Sequence, residues 1–150
     1  PFTKGHMDIV EQASNLFDEI VIAILYNSSK KTSFFTVDKR IEMIKELYSK
    51  MQSVKVISST DTTANTAILY GCKAIVRGLR NSSDFENELI LSRINEDLSN
   101  NKIKTVTLFS NRSLTHVSST LVREMIKYEQ DVSPYVDTII KDKILKKGSV

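Results

Sequence analysis

Short runs of β-branched and aliphatic residues alternate with amphipathic stretches along this chain, a pattern that few folds accept. The runs are residues 19–26 (EIVIAILY), 54–57 (VKVI), 74–76 and 105–109 (TVTLF). The first is apolar almost throughout and reads as a strand buried on both faces. Between the runs, apolar residues return at helical spacing. Ile9, Val10, Ala13, Leu16 and Phe17 form one such stripe directly after Gly5-His6, and Thr36 can cap a helix bearing Val37, Ile41, Ile44 and Tyr48. Asp61 is the expected cap of a helix over 62–70, with Gly71 at its left-handed exit. Ser83 with Glu86 reads as a capping box for a helix reaching about Leu98. Ser118 or Ser119 caps a helix carrying Leu121, Val122, Met125 and Ile126, and Ser133-Pro134 opens the last one.

Strands alternating with helices at this length predict a Rossmann-like α/β fold, a parallel sheet with helices on both faces joined by right-handed crossovers. The 150 residues, 41% of them hydrophobic, suit one domain with one core. A helix comes first and Pro1 stands at the start, so the expectation is a single domain over residues 1–150 that is N-terminally incomplete, its first strand lying upstream.

Composition narrows the function classes. The lone Cys72 excludes an internal disulfide framework and a multi-cysteine metal site, which fits a reducing compartment and predicts a cytoplasmic protein. No apolar run approaches the roughly 18 residues of a membrane helix, so no membrane partner is expected. Twenty-one Lys plus Arg against 18 Asp plus Glu give a net charge of +3, with no basic stripe interleaved with aromatics; no nucleic-acid partner is expected either. Serine-hydrolase elbows, Walker loops and G-x-G-x-x-G turns are absent, and two distant histidines write no metal cage.

In open α/β sheets ligands bind beyond the carboxyl ends of the strands, where loops meet helix N-termini. Of just four glycines and two histidines, Gly5, Gly78, His6 and His116 fall in those segments. Thr3-Lys4-Gly5-His6 combines free helix-start N–H groups, a close-approach glycine and an imidazole, which suits an anion; a plain turn with an exposed His6 is the competing reading. Arg77-Gly78-Leu79-Arg80 sends two guanidiniums from the sheet edge, held by a short turn, either toward phosphate oxygens or toward Asp84, Glu86 and Glu88 on the next helix. Glu88, one turn beyond Asp84, could orient an arginine or accept from a ribose or amine. Ser118, Ser119 and Thr120 offer donors to a second anion, although capping alone explains one or two of them. Cys72, between a helix exit and a strand, reads as a packing residue.

Taken together and in order, Thr3-Lys4-Gly5-His6, the Ser28-Ser29-Lys30-Lys31 loop, Arg77-Gly78-Leu79-Arg80 with Asp84-Phe85-Glu86-Asn87-Glu88, and Val117-Ser118-Ser119-Thr120 resemble the motifs of bacterial phosphopantetheine adenylyltransferases. These enzymes belong to the nucleotidyltransferase superfamily with (H/T)-x-G-H and (I/V)-S-S-(S/T) signatures. The resemblance implies adenylyl transfer from ATP to 4'-phosphopantetheine, giving dephospho-coenzyme A and pyrophosphate, with Mg²⁺ carried on the ATP phosphates. It implies catalytic roles for His6, Lys30 and Arg80, with His6 on the reacting phosphate. Lys30, Thr63 and Arg77 would contact the acceptor. His6, Gly78, Leu79, Arg80, Glu88, Leu114, Thr115, His116, Val117, Ser118, Ser119 and Thr120 would line the ATP site. It also implies a homo-oligomer, commonly a hexamer. Asn87 replaces a usual aromatic, Leu114 and His116 stand where aromatics are common, and of the G-(S/T)-F-D-P turn only Pro1 is present. Two other readings stay open: a related nucleotidyltransferase with a different phosphorylated acceptor, and a non-catalytic nucleotide-binding domain.

Overall fold

The computed structural model describes residues 1–26 and 34–148. Its elements follow in the order α1 (Lys4–Ser14), β1 (Ile20–Leu25), α2 (Val37–Leu47), β2 (Val54–Ser59), α3 (Thr63–Leu69), β3 (Ala74–Leu79), α4 (Ser82–Leu98), β4 (Lys104–Phe109), a 3₁₀ turn (Arg112–Leu114), α5 (Ser119–Lys127) and α6 (Thr138–Gly148). The strands are parallel, as expected for strands separated by helices. They form two pairs: β1 with β2, from Ile20 opposite Val54 to Leu25 opposite Ser59, and β3 with β4, from Ala74 opposite Lys104 to Leu79 opposite Phe109. Helix α1 touches β1 as well as β3 and β4 and so bridges the pairs. Among the described residues, β1 and β3 therefore each have a single strand partner. That corrects the reading of β1 as buried on both faces: only Ile24 is buried, and Ala23 is exposed.

Several local expectations shift for identifiable reasons. Helix α1 starts at Lys4, before Gly5, because Thr3 is its cap and accepts from the His6 N–H. The cap of α3 is Thr62, whose hydroxyl accepts from Asn65; Asp61 instead accepts from the Thr62 N–H and the Asn65 side chain. Asn81, accepting from Asp84, caps α4 in place of the expected Ser83 box. Ser118 caps α5 through the Leu121 N–H. Ser133-Pro134 opens no helix, since Ser133 folds onto the Asp131 carboxylate in a local turn and α6 begins only at Thr138. Gly71 does adopt the left-handed conformation, with φ of 66°.

The main core gathers Phe35, Met43, Val122, Val132, Val136, Ile140 and Ile144, with Phe2 and Met125 against it. A second cluster, Ile24, Ile44 and Val56, seats β1 and β2 on α2, and Phe2 touches this one too. Phe2 thus ties the head of α1 to both clusters. Phe2 is partly buried, so it contributes a fraction of the roughly 1.5–3 kcal/mol of a fully buried large apolar side chain and helps to seat the end of α1 that carries His6. Among the described residues no helix is long and apolar enough to cross a membrane.

Candidate active site

His6 occupies the third position of α1. Its Nδ1 receives the Thr3 backbone N–H at 3.0 Å and stands 2.8 Å from the Thr3 hydroxyl. An amide N–H only donates, so Nδ1 is the unprotonated nitrogen and the ring proton sits on Nε2. Phe2 stacks on the ring, centroids 5.1 Å apart at 24°. His6 keeps exposed surface, while the protein packed around it strips hydration from the cationic form. That burial is the largest cause of a pKa lowered to about 4, followed by the positive charges of the chain's N-terminus, Arg80 and Arg77. At neutral pH His6 is an uncharged Nε2–H donor.

The helix start is less open than its sequence suggests. Lys4 N–H donates to Tyr135 O at 2.9 Å, His6 N–H is capped by Thr3, and the Lys4 ammonium turns to Ser133 O at 2.8 Å. Gly5 N–H remains without a protein acceptor among the described residues. A Cβ at Gly5 would meet Thr3 Oγ1 and Val117 O at 3.5 Å, ordinary contact. The protein's own packing therefore does not demand glycine there. Gly78 is the close-approach glycine: a Cβ there would lie 2.7 Å from Ile9 Cγ1. Its lack of a side chain lets α1 lie down on β3.

The two arginines do not leave a turn. Arg77, Gly78 and Leu79 are strand residues, because the pairing with Thr107, Leu108 and Phe109 carries β3 further than its apolar run predicts. Arg77 forms a fork with Glu88, at 2.7 and 2.6 Å, and Arg80 forms another with Asp84, at 2.8 and 2.9 Å. Asp84 also accepts the Arg80 N–H at 3.0 Å. The Arg80 guanidinium holds the Asp84 carboxyl below its ordinary value, and the carboxylate raises Arg80 in turn. Of the two roles open to Glu88, the structure has it orienting an arginine.

The loops meet at one atom. Val117 O receives Arg80 Nη1 at 3.5 Å and lies 3.5 Å from the position of a Cβ on Gly5. Beside it, the Ser119 hydroxyl donates to Pro1 O at 2.6 Å, and the Ser119 and Thr120 N–H groups at the head of α5 have no protein acceptor among the described residues. Thr120 accepts from Arg123. The His6 helix, Arg80 and the residue before the α5 cap thus meet around Val117 O, and the charges of Arg77 and Arg80 reach the His6 ring.

The chain as a whole is similar to known proteins. Residues 1–125 match the family described as cytidylyltransferase-like. A phosphopantetheine adenylyltransferase of Streptococcus gordonii is 40% identical over 144 residues, covering 95% of this chain and 87% of that protein. Its counterpart in Bacteroides thetaiotaomicron is 42% identical over 136 residues, covering 91% and 88%, and that of Finegoldia magna is 37% identical over 143, covering 95% and 87%. The chain belongs to the phosphopantetheine adenylyltransferase family.

As a phosphopantetheine adenylyltransferase family member, the chain carries the remaining expected site residues in varied positions. Leu79 and Val117 are buried, which leaves only their backbone for a ligand. Leu114 ends the 3₁₀ turn half-buried, and Thr115 donates to Arg112 O at 3.2 Å. His116 is exposed, its ring edge-on to Tyr135 at 6.0 Å. Thr63 opens α3 beyond β2 and makes no side-chain hydrogen bond to the His6 group among the described residues. Lys30 lies outside the described residues. Cys72 packs beside Ala67, Ile75 and Ile103, and burial pushes its thiol up, so it is a packing residue. Thr3 is the functional residue that motif reading passed over, although T-x-x-H is a capping-box pattern with His in the Glu/Gln position.

Proposed function

We propose that the chain transfers the adenylyl group of ATP to 4'-phosphopantetheine, forming dephospho-coenzyme A and pyrophosphate. An ionised oxygen of the acceptor phosphate attacks the α-phosphorus of ATP. The new P–O bond forms as the bond to the β-phosphate oxygen breaks, and pyrophosphate leaves with the electron pair. No proton has to be removed, so the protein's task is to align two polyanions and absorb transition-state charge. The Nε2–H of His6 donates to the α-phosphate. Arg77, held by Glu88, is the cation assigned to the acceptor phosphate, and the family resemblance adds Lys30. Arg80, the Gly5 N–H and the head of α5 receive the departing pyrophosphate. Mg²⁺ arrives as part of the MgATP substrate; Asp84 and Glu88 are each engaged by an arginine.

The observation that supports this reading is the meeting at Val117 O of Gly5 on the His6 helix, Arg80 after β3 and the approach to α5. Pyrophosphate release from MgATP and 4'-phosphopantetheine by the full-length protein tests it. Turnover with a different phosphorylated acceptor alone would change the substrate; tight ATP binding without turnover on any acceptor would mean a binding domain.

One surface feature extends the reading to assembly. Ile90, Leu91, Ile94 and Leu98 form an exposed apolar stripe on α4, which buries none of its residues. Copies of the same chain are the partner we infer for it, in a homo-oligomer such as a hexamer. The lone thiol of Cys72 suits the cytoplasm.

A further inference from the structure

Asp8 and Gln12 stand four residues apart on α1 and so share one of its faces. Asp8 Oδ2 accepts the Asn111 N–H at 2.8 Å, and Gln12 Nε2 donates to Phe109 O at 3.0 Å. Both bonds land on the exit of β4, where the chain leaves the sheet for the segment that ends at the head of α5. Asn111 carries the constraint onward: its Oδ1 accepts from the Ser113 N–H at 3.1 Å and the Ser113 hydroxyl at 2.9 Å, setting the 3₁₀ turn that leads to Val117. Val117 O in turn rests against Gly5 and Arg80. The segment is therefore bonded to α1 at its start, two residues after His6, and packs beside the helix at its end, next to Gly5.

We propose that Asp8 is a positioning residue for the nucleotide, setting the distance between His6 and the 111–120 segment; this rests on the adenylyl-transfer reading. Electrostatics sharpens the argument. Asp8 forms no ion pair among the described residues, and a carboxylate close to a polyanion site opposes ligand binding unless it does something else. What it does is hold an amide that has no other acceptor. The bond needs an oxygen acceptor and not a charge, so asparagine can replace it.

The test compares wild type, Asp8→Ala, Asp8→Asn and Gln12→Ala in steady-state turnover, in ATP binding by calorimetry and in thermal melting. Asp8→Ala is expected to raise the KM and Kd for ATP about tenfold, with the acceptor KM changed less than about twofold, as fits one lost positioning bond. Asp8→Asn should return the ATP values to within about threefold of wild type, and Gln12→Ala should shift them in the same direction by less. Unchanged ATP values in Asp8→Ala overturn the proposal. So do equal rises in both KM values that track the loss of melting temperature, or failure of Asp8→Asn to rescue. A wild type that binds ATP but does not turn over would sink the transfer reading alone, since the Kd comparison still decides the role of Asp8. A wild type that binds no ATP sinks both.

Discussion

The imidazole of His6 and the hydroxyl of Thr3 lie 2.8 Å apart, so the residue that caps α1 also aims the ring. His6→Ala should lower kcat by about 100-fold or more, the scale of losing one transition-state donor, with an unchanged far-ultraviolet spectrum. Thr3→Ala should cost about 1 kcal/mol through the cap and also slow turnover, because the ring keeps only the backbone donor. A wild-type rate in His6→Ala would remove the histidine from the mechanism.

The ionisation of His6 gives a pH prediction. Its pKa is lowered from 6.5 to about 4, so above the first value folded and unfolded states both hold a neutral ring. Between 6.5 and about 4 the unfolded chain takes up a proton that the fold refuses. This residue therefore withdraws stability as pH falls through that window and adds no dependence above it. Its Cε1 proton resonance should titrate near 4, and the activity profile should show no inflection from His6 near 6.5. An NMR midpoint at its ordinary value would contradict the buried, hydrogen-bonded ring.

Gly78 is expected to tolerate no side chain. Alanine would bring Cβ to 2.7 Å from Ile9 Cγ1 and 3.0 Å from its Cδ1, forcing α1 off β3. Overpacking of this kind costs roughly 1–3 kcal/mol, read as a lower denaturation midpoint. Ile9→Ala removes both clashing atoms, so the double variant should recover part of the loss attributable to Gly78→Ala. Purely additive effects would locate the role of the glycine elsewhere.

The Arg77–Glu88 fork is geometric as well as electrostatic. Lysine keeps the charge but loses the planar pair of donors. Arg77→Lys should therefore raise the acceptor KM by about tenfold, with a smaller effect on ATP, and Glu88→Gln should do the same more weakly because the fork loses its charged partner. Equal effects on both substrates would argue against an acceptor role for Arg77.

Charge placed on the α4 stripe tests self-association. Ile90 is 61% exposed and Ile94 is 46% exposed, so aspartate at either should leave the isolated fold intact. If copies of the chain cover this face, Ile90→Asp and Ile94→Asp should reduce the molar mass measured by light scattering. An unchanged mass would direct the assembly to another surface.

The helices were legible because their signals are local. Apolar spacing locates α1, α2 and α5, a polar cap pattern points to α4, and Gly71 marks the exit of α3. Cap identities were misread wherever two polar residues competed: Asp61 yielded to Thr62, and Ser83 to Asn81. Side chains settle that competition through hydrogen-bond geometry, which composition does not encode. Strand ends were underestimated for a similar reason. The register with β4, not any local preference, draws Arg77 and Gly78 into β3.

The sequence by itself determined the family and the candidate residues, because scarce glycines and histidines and paired arginines stand together in short motifs, and a relative is 40% identical over 144 residues. Only the tertiary structure decided what those residues do to one another. The ring proton of His6 is assigned by the Thr3 amide, the arginines are aimed by Glu88 and Asp84, and Gly78 serves the approach of Ile9. Spacing along a helix or strand is fixed by the chain's own geometry and can be read from it. Contacts such as Asp8 with Asn111 join residues 103 positions apart, and only packing of whole elements brings such pairs together.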